Sequence, residues 1–417
     1  MSEPTPGSRP GRRRVLQGAA VLAGSQLAAP FLLSARGEVP IKIGMVDEMT
    51  GPASMLGTSE VQGARLAVEQ INAKGGVLGR PLQLLVEDSA SDTGVGVQKA
   101  IKLIDRDHVN VLFGDPNSGI AYAQTQVTNQ KGVLNILPGA HTDPMTGKAC
   151  KWNVFRICGT TSMDASAITG TLVRKFGKRW FMITPDYAYG HTLQAAFIRD
   201  LKKLGGTVEA VMVPQTTLDF TDTLIKAKLY KPQVLINNMY GNPQVNCMKQ
   251  FLQFGMEKSI ALGGAIFELE DVIATPAAAQ TGWWDFEWWW NQPGVPHVAE
   301  FTAAIDKRFH VMPSARVWFG YVAVHSFRLA VEHSKSLDAL KMARALEGMV
   351  LPPEVALQPG KVFYRKGDHQ LMANIFVGEV HPPKGNKYNV FTPHKLVPGQ
   401  DVAGDAVENG CHMTYPA

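Results

Sequence analysis

From Pro40 to about residue 262 the chain repeats one pattern: a short apolar run of strand length, a turn, then a stretch of helical period. Residues 41–46, 82–87, 109–113 and 133–137 read as strands. Between the first two, Val61, Ala64, Val68 and Ile71 mark the apolar stripe of a helix that Thr58 and Ser59 can cap. Val97, Ala100, Ile101 and Ile104 mark the next helix, and residues 121–130 a third. The rhythm restarts after Arg156, with helices at 165–175, 192–204, 221–229 and 245–254 and strands at 180–184, 208–213, 234–237 and 260–262. Strands that alternate with helices build parallel sheets covered on both faces, so two such series predict an α/β chain of two doubly wound lobes. Ligands of doubly wound sheets bind outside the carboxyl ends of the strands. Here those ends are residues 50–57, 115–118, 139–142, 185–190 and 240–243.

The rest of the chain breaks the pattern. Residues 298–309, 315–332 and 337–347 read as helices, and 363–364 and 371–379 as strands around the turn 365–368. Beyond Val380 proline, glycine and asparagine become frequent, which predicts an irregular, extended surface arm.

Charge narrows the class of partner. The 417 residues carry a net +5, which would suit a polyanion or a membrane surface. Residues 1–36, however, hold five arginines against one glutamate and so supply +4 of it. The remainder is nearly neutral, and no nucleic-acid partner is expected. Arg12-Arg13-Arg14 followed by the weakly apolar stretch 15–33 resembles a twin-arginine export signal, whose alternative is a single N-terminal membrane helix. No later segment holds 18 uninterrupted apolar residues, so a mature chain that does not span the membrane, exported to the periplasm, is expected.

Motifs of catalysis are missing. There is no His-Glu-x-x-His, no Cys-x-x-Cys, no glycine-rich phosphate loop and no nucleophile elbow around Ser118. Asp88 and Asp92 fail the spacing of a calcium loop. Neither an enzyme nor a cofactor or metal is expected. Of the four cysteines, Cys150 and Cys158 are near enough for a disulfide across a turn or else are buried free thiols, while Cys247 and Cys411 find no assignment.

The strand-end loops carry a resemblance. Ile41-Lys42-Ile43-Gly44 with Thr50-Gly51-Pro52 and Gly63-Ala64, then the long stretch Ile71-Asn72-Ala73-Lys74-Gly75-Gly76-Val77-Leu78-Gly79-Arg80-Pro81-Leu82, are similar to the leucine/isoleucine/valine-type periplasmic solute-binding proteins of ABC importers. Glu87-Asp88, Val154-Phe155-Arg156, Asp186-Tyr187-Ala188-Tyr189-Gly190, Pro313-Ser314 and Gly320-Tyr321 follow in the right order, so the resemblance spans about residues 40–350. It implies the type I periplasmic binding fold, two lobes joined by a three-segment hinge that close on a small ligand. The expected division is a leader over 1–36, a first lobe from 37–157 and 288–350, a second from 158–287 and 351–380, and the arm over 381–417.

The resemblance also implies the site. Ser118 with Gly139, Ala140 and His141 would hold a ligand carboxylate, and Tyr189 and Tyr240 would face its other end, with Leu56 and Phe267 completing the ligand-binding set. Each has a plainer reading: Ser118 as a helix cap, His141 as a surface histidine, Tyr189 as packing beside Gly190. Two departures matter. His141 stands where the family carries threonine, and Ala265 where it carries the acid that receives an amino acid's ammonium group, although Glu268 lies three residues on. A buried ammonium without that acid loses a partner worth roughly 1.5–3 kcal/mol. A carboxylate, aromatic acid or amide is therefore expected over a plain α-amino acid. Five tryptophans between 283 and 290 either stack on such a ligand or, for most of them, pack the second hinge crossing.

The function expected is capture of a small solute by a monomer and its delivery to a membrane permease of an ABC importer. A sensor subunit for a receptor or kinase is the alternative within the same fold. A periplasmic enzyme is a third reading, since twin-arginine export carries prefolded and often cofactor-bearing proteins.

Overall fold

The computed structural model describes residues 38–416, and the expected leader lies outside them. Five parallel strands form the first sheet: β1 (Ile41–Asp47), β2 (Leu82–Asp88), β3 (Val111–Phe113), β4 (Leu134–Leu137) and β5 (Val154–Arg156), ordered β2-β1-β3-β4-β5. The central strands are apolar throughout because both faces are covered; Ile43, Met45, Val111, Phe113 and Ile136 have no exposed surface. The next five strands are β6 (Arg179–Pro185), β7 (Thr207–Val213), β8 (Val234–Asn237), β9 (Ala261–Gly263) and β10 (Trp283–Phe286), again mutually parallel.

After β10 the chain returns to the first sheet through the helices Val298–Phe309, Ala315–Ser334 and Ala339–Leu346. The two-residue strands β11 (Phe363–Tyr364) and β12 (Leu371–Met372) pair as a hairpin on the way back. Strands β13 (Asn374–Val380) and β14 (Phe391–Pro398) then complete the second sheet in antiparallel register, giving the order β14-β13-β10-β9-β8-β6-β7. The chain thus passes between the sheets after β5, after β10 and again before β13.

One helix pair positions much of the site. Helices Ser54–Ala73 and Ala315–Ser334 cross with their backbones in contact, which two glycines permit. A Cβ on Gly63 would lie 1.8 Å from the Val317 carbonyl oxygen, and one on Gly320 1.8 Å from that of Glu60. Gly63 and Gly320 are therefore required by close approach.

The C-terminal region corrects two expectations. Residues beyond Val380 do not form an irregular surface arm: β14 is an edge strand paired along all of β13, and Val390, Phe391 and Val397 are buried. Alternation there was hidden because only its two ends face the core. The cysteine pairing also differs. Cys150 bonds Cys411, 261 residues away, while Cys158 and Cys247 are buried free thiols. Cys158 lies at the first crossing with its backbone N–H bonded to the Pro138 carbonyl. Past Ala403, which is buried on the second sheet, the tail crosses back to the first lobe. There Tyr415 donates to Glu347 (2.9 Å) beneath the Arg344 guanidinium. Among the described residues no helix is long and apolar enough to cross a membrane.

Candidate functional site

The carboxyl ends of both sheets face one another, and the loops that leave them enclose a cavity of about 20 Å³, room for roughly one water molecule. Its walls are Ala53, Leu56, Pro116, His141 and Arg316 from the first lobe, and Tyr187, Tyr189, Tyr240, Ile266, Glu268 and Asp271 from the second. Every one of these residues lies at a strand end or in the first turn of a helix, as the topology requires.

The first-lobe wall is organised by Arg316. Ser314 caps its helix by accepting from the Val317 N–H, leaving Arg316 in the first turn and pointing inward. The guanidinium, 4% exposed, pairs with Glu60 at 2.9 Å and with Glu268 at 2.7 Å, and donates to the Gly139 carbonyl at 2.8 Å. Because Glu268 belongs to the second lobe, the pair with it bridges the cavity. Ser314 adds a second bridge by donating to Glu270 (2.5 Å). Burial raises the Glu60 carboxyl to about 7, even with the opposing pull of Arg316. Burial raises Asp271 further, to about 8, although the Gly241 N–H bonded to it (2.9 Å) works the other way. The other oxygen of Asp271, Oδ1, is buried without a hydrogen-bond partner.

The second-lobe wall is aromatic. Tyr187, Tyr189 and Tyr240 touch one another with ring centroids 5.7 to 6.1 Å apart. Burial pushes all three phenols well up. They act at neutral pH as hydrogen-bonding hydroxyls, and Tyr240 donates to Gln215 (3.2 Å).

Of the candidates named from the sequence, Leu56, His141, Tyr189 and Tyr240 border the cavity. The other candidates do not. Ser118 is buried one layer back, its hydroxyl accepting from the Thr142 N–H (3.3 Å), while the cap of its helix is Asn117. Gly139 lies behind Arg316, and Ala140 and Ala265 are core residues. Phe267 packs on Trp284 at 4.7 Å. The tryptophans pack too. Trp288 donates to the Leu357 carbonyl and Trp290 to that of Tyr388, Trp289 meets Phe391, and Trp283 stacks on His394. None of the five borders the cavity.

His141 is turned away from solvent, its Nε2 2.5 Å from Glu287 Oε2 at the second crossing. Sequence reasoning missed several wall residues, among them Tyr187 and Ile266, and the ionisable groups Glu60, Asp271 and Arg316. A signal existed for Glu60, which interrupts the stripe of Leu56, Val61 and Ala64 on a helix face that has no solvent side.

A profile of the periplasmic binding protein family matches residues 40–387. The chain belongs to the periplasmic binding protein family. Among its relatives is a Leu/Ile/Val-binding protein of Rhizobium johnstonii, 28% identical over 344 residues that cover 81% of this chain and 91% of that one. A crystal structure of a periplasmic binding protein from Burkholderia mallei superposes with a TM-score of 0.83 at 25% identity, covering 89% of this chain and 98% of that one. A branched-chain amino acid ABC transporter periplasmic ligand-binding protein from Burkholderia xenovorans gives 0.77 at 25% identity, with 89% and 99% covered. The chain has the type I periplasmic binding fold, and periplasmic binding proteins of this family bind small solutes for ABC transporters.

Proposed function

We propose that this periplasmic binding protein captures a small organic solute in the interlobe cavity, in the periplasm, and delivers it to the permease of an ABC importer. We propose further that the solute is a carboxylate, an aromatic acid or an amide in preference to a plain α-amino acid. Among these three the polar groups suit the amide best. The observation that carries this is the state of Arg316. It is the one cation among the described residues lining the cavity, and it already faces the two carboxylates Glu60 and Glu268. A ligand carboxylate would have to displace one of them. An ammonium group would look for a free charged acid, yet Ala265 is apolar, Glu268 is already paired with Arg316, and burial, which raises Asp271 to about 8, keeps that carboxyl mostly protonated at pH 7. An amide places its N–H groups against Asp271 and the tyrosine hydroxyls without either penalty.

With so little free volume the solute enters only when the lobes separate, and closure over it supplies the tyrosine wall. The test is a thermal-shift panel of matched amides, aliphatic and aromatic carboxylates and α-amino acids. A ligand that binds only the folded chain stabilises it by about 2.7 kcal/mol at one hundred times its Kd. We expect the largest rise in Tm from an amide; the largest rise from an α-amino acid would overturn the ligand class, and no rise from any compound would overturn the site.

A further inference from the structure

Behind the cavity wall, where the crossings begin, three side chains converge from distant parts of the chain. His141 comes from the loop after β4, Asp164 from the first turn of the helix Thr161–Phe176, and Glu287 from the residue after β10. Their donor atoms all lie within 4.8 Å of one another, and the residues are 2%, 0% and 5% exposed.

The hydrogen bonds account for two of the three. Glu287 receives the Gly159 N–H on Oε1 and His141 Nε2 on Oε2. Asp164 receives nothing: both of its carboxylate oxygens are buried without a partner. Protonation would remove its charge but still leave the acid without an acceptor for its proton. The nearest guanidinium is committed elsewhere, since Arg156 spends its N–H groups on Gln370, Thr146 and the Thr142 carbonyl. Gly159 keeps the space between the carboxylates clear; a Cβ there would stand 2.7 Å from Glu287 Oε1 and 2.9 Å from Asp164 Oδ1. The unpartnered Asp164 carboxyl thus lies beside the His141–Glu287 pair in a water-excluded place, and buried carboxylates are found paired or on metals.

We propose that His141, Asp164 and Glu287 bind one first-row divalent metal ion, of the zinc or manganese type, at the hinge. One imidazole and two carboxylates suit these ions better than calcium or magnesium, which prefer all-oxygen shells. Donor-to-metal distances of about 2.0–2.2 Å require the His141–Glu287 pair to part by roughly 1 Å, a side-chain adjustment. Three protein ligands leave the fourth position of a tetrahedral ion for water or for a group of the solute. Because the ligands come from both lobes and a crossing, the ion would tie together parts that move apart when the lobes open. The inference does not depend on the nature of the solute.

The experiment uses the untagged mature chain, stripped with a chelator and dialysed, with no solute added. Calorimetric titration with Zn²⁺ and with Mn²⁺ should show one equivalent bound by at least one of them. Asp164→Asn and Glu287→Gln, which keep shape, should each weaken that binding by about 100-fold or more. Co²⁺ should give visible absorption bands in the wild-type chain that D164N abolishes. No stoichiometric uptake of either ion by the wild type overturns the site, as does unchanged affinity in a folded D164N or E287Q. Should both variants fail to fold, absence of cobalt bands in the wild type overturns it and their presence supports it.

Discussion

The two walls of the cavity solve the problem of buried polarity in opposite ways. The first-lobe wall concentrates charge and fixes it: Arg316 is held by Glu60 on the adjoining helix, and that helix pair is locked at Gly63 and Gly320. The second-lobe wall has three neutral phenols that lean on one another, with acids behind them that burial drives toward the protonated form. Charge that is pinned by packing gives a rigid face with a defined register. Neutral aromatic groups give a face that can shift to suit its occupant. The two schemes touch where Arg316 meets Glu268.

Breaking that junction should have the largest effect. Arg316→Leu leaves two buried carboxylates without their cation and should cost about 3–5 kcal/mol in chemical denaturation at pH 7. The loss should be smaller at pH 5, where Glu60, already raised to about 7, is protonated. A loss below 1 kcal/mol at both pH values would show that the charges are not held as tightly as the geometry implies.

Asp271 sharpens the comparison from the other side. Its folded value of about 8 stands far above the ordinary carboxylate value of 3.8, so the folded chain keeps a proton that the unfolded chain has released. Stability from this group is therefore greatest below about pH 4 and is lost as pH rises toward 8, by up to about 1.4 kcal/mol per unit. Measured between pH 6.5 and 8, the wild type should lose stability faster than Asp271→Asn. Parallel curves would place the carboxyl in contact with water.

The smallest effect is expected at the tyrosines. Tyr240→Phe removes one hydroxyl whose partner is Gln215 and should cost about 1 kcal/mol by the same denaturation measurement. A loss of 3 kcal/mol would mean that the aromatic wall is as rigid as the charged one.

What could be read from the sequence follows the same division. Most strands of both sheets announced themselves because each is a short apolar run between turn residues, while β5, β10 and β14 were not read as strands; Leu56, Tyr189 and Tyr240 came from the family resemblance, in loops that the strand-end rule also marks. Glu60, Arg316 and Asp271 escaped because a charged residue on a helix reads as solvated until its neighbouring helix is known. Ala265 and Phe267, although adjacent to Ile266 in the wall, belong to the core because alternate residues of that loop point away from the cavity. His141, Asp164 and Glu287 are separated by 23 and 123 positions, too far for any spacing rule to join. The Cys150–Cys411 bond was illegible for the same reason, since it depends on the path of the tail after β14.

That bond changes the mechanics of opening. A type I hinge of three strands of chain allows the lobes to swing and also to twist about the strands. Here the tail leaves the second lobe at Ala403 and is stapled to the first at Cys150, so the oxidised protein has a fourth covalent link between its halves, set apart from the other three. A door on one post can warp, but one held along a second edge moves only about a fixed axis. In an oxidising compartment the trajectory of opening, and with it the face shown to an incoming solute, is constrained by a linkage that joins residues 261 positions apart.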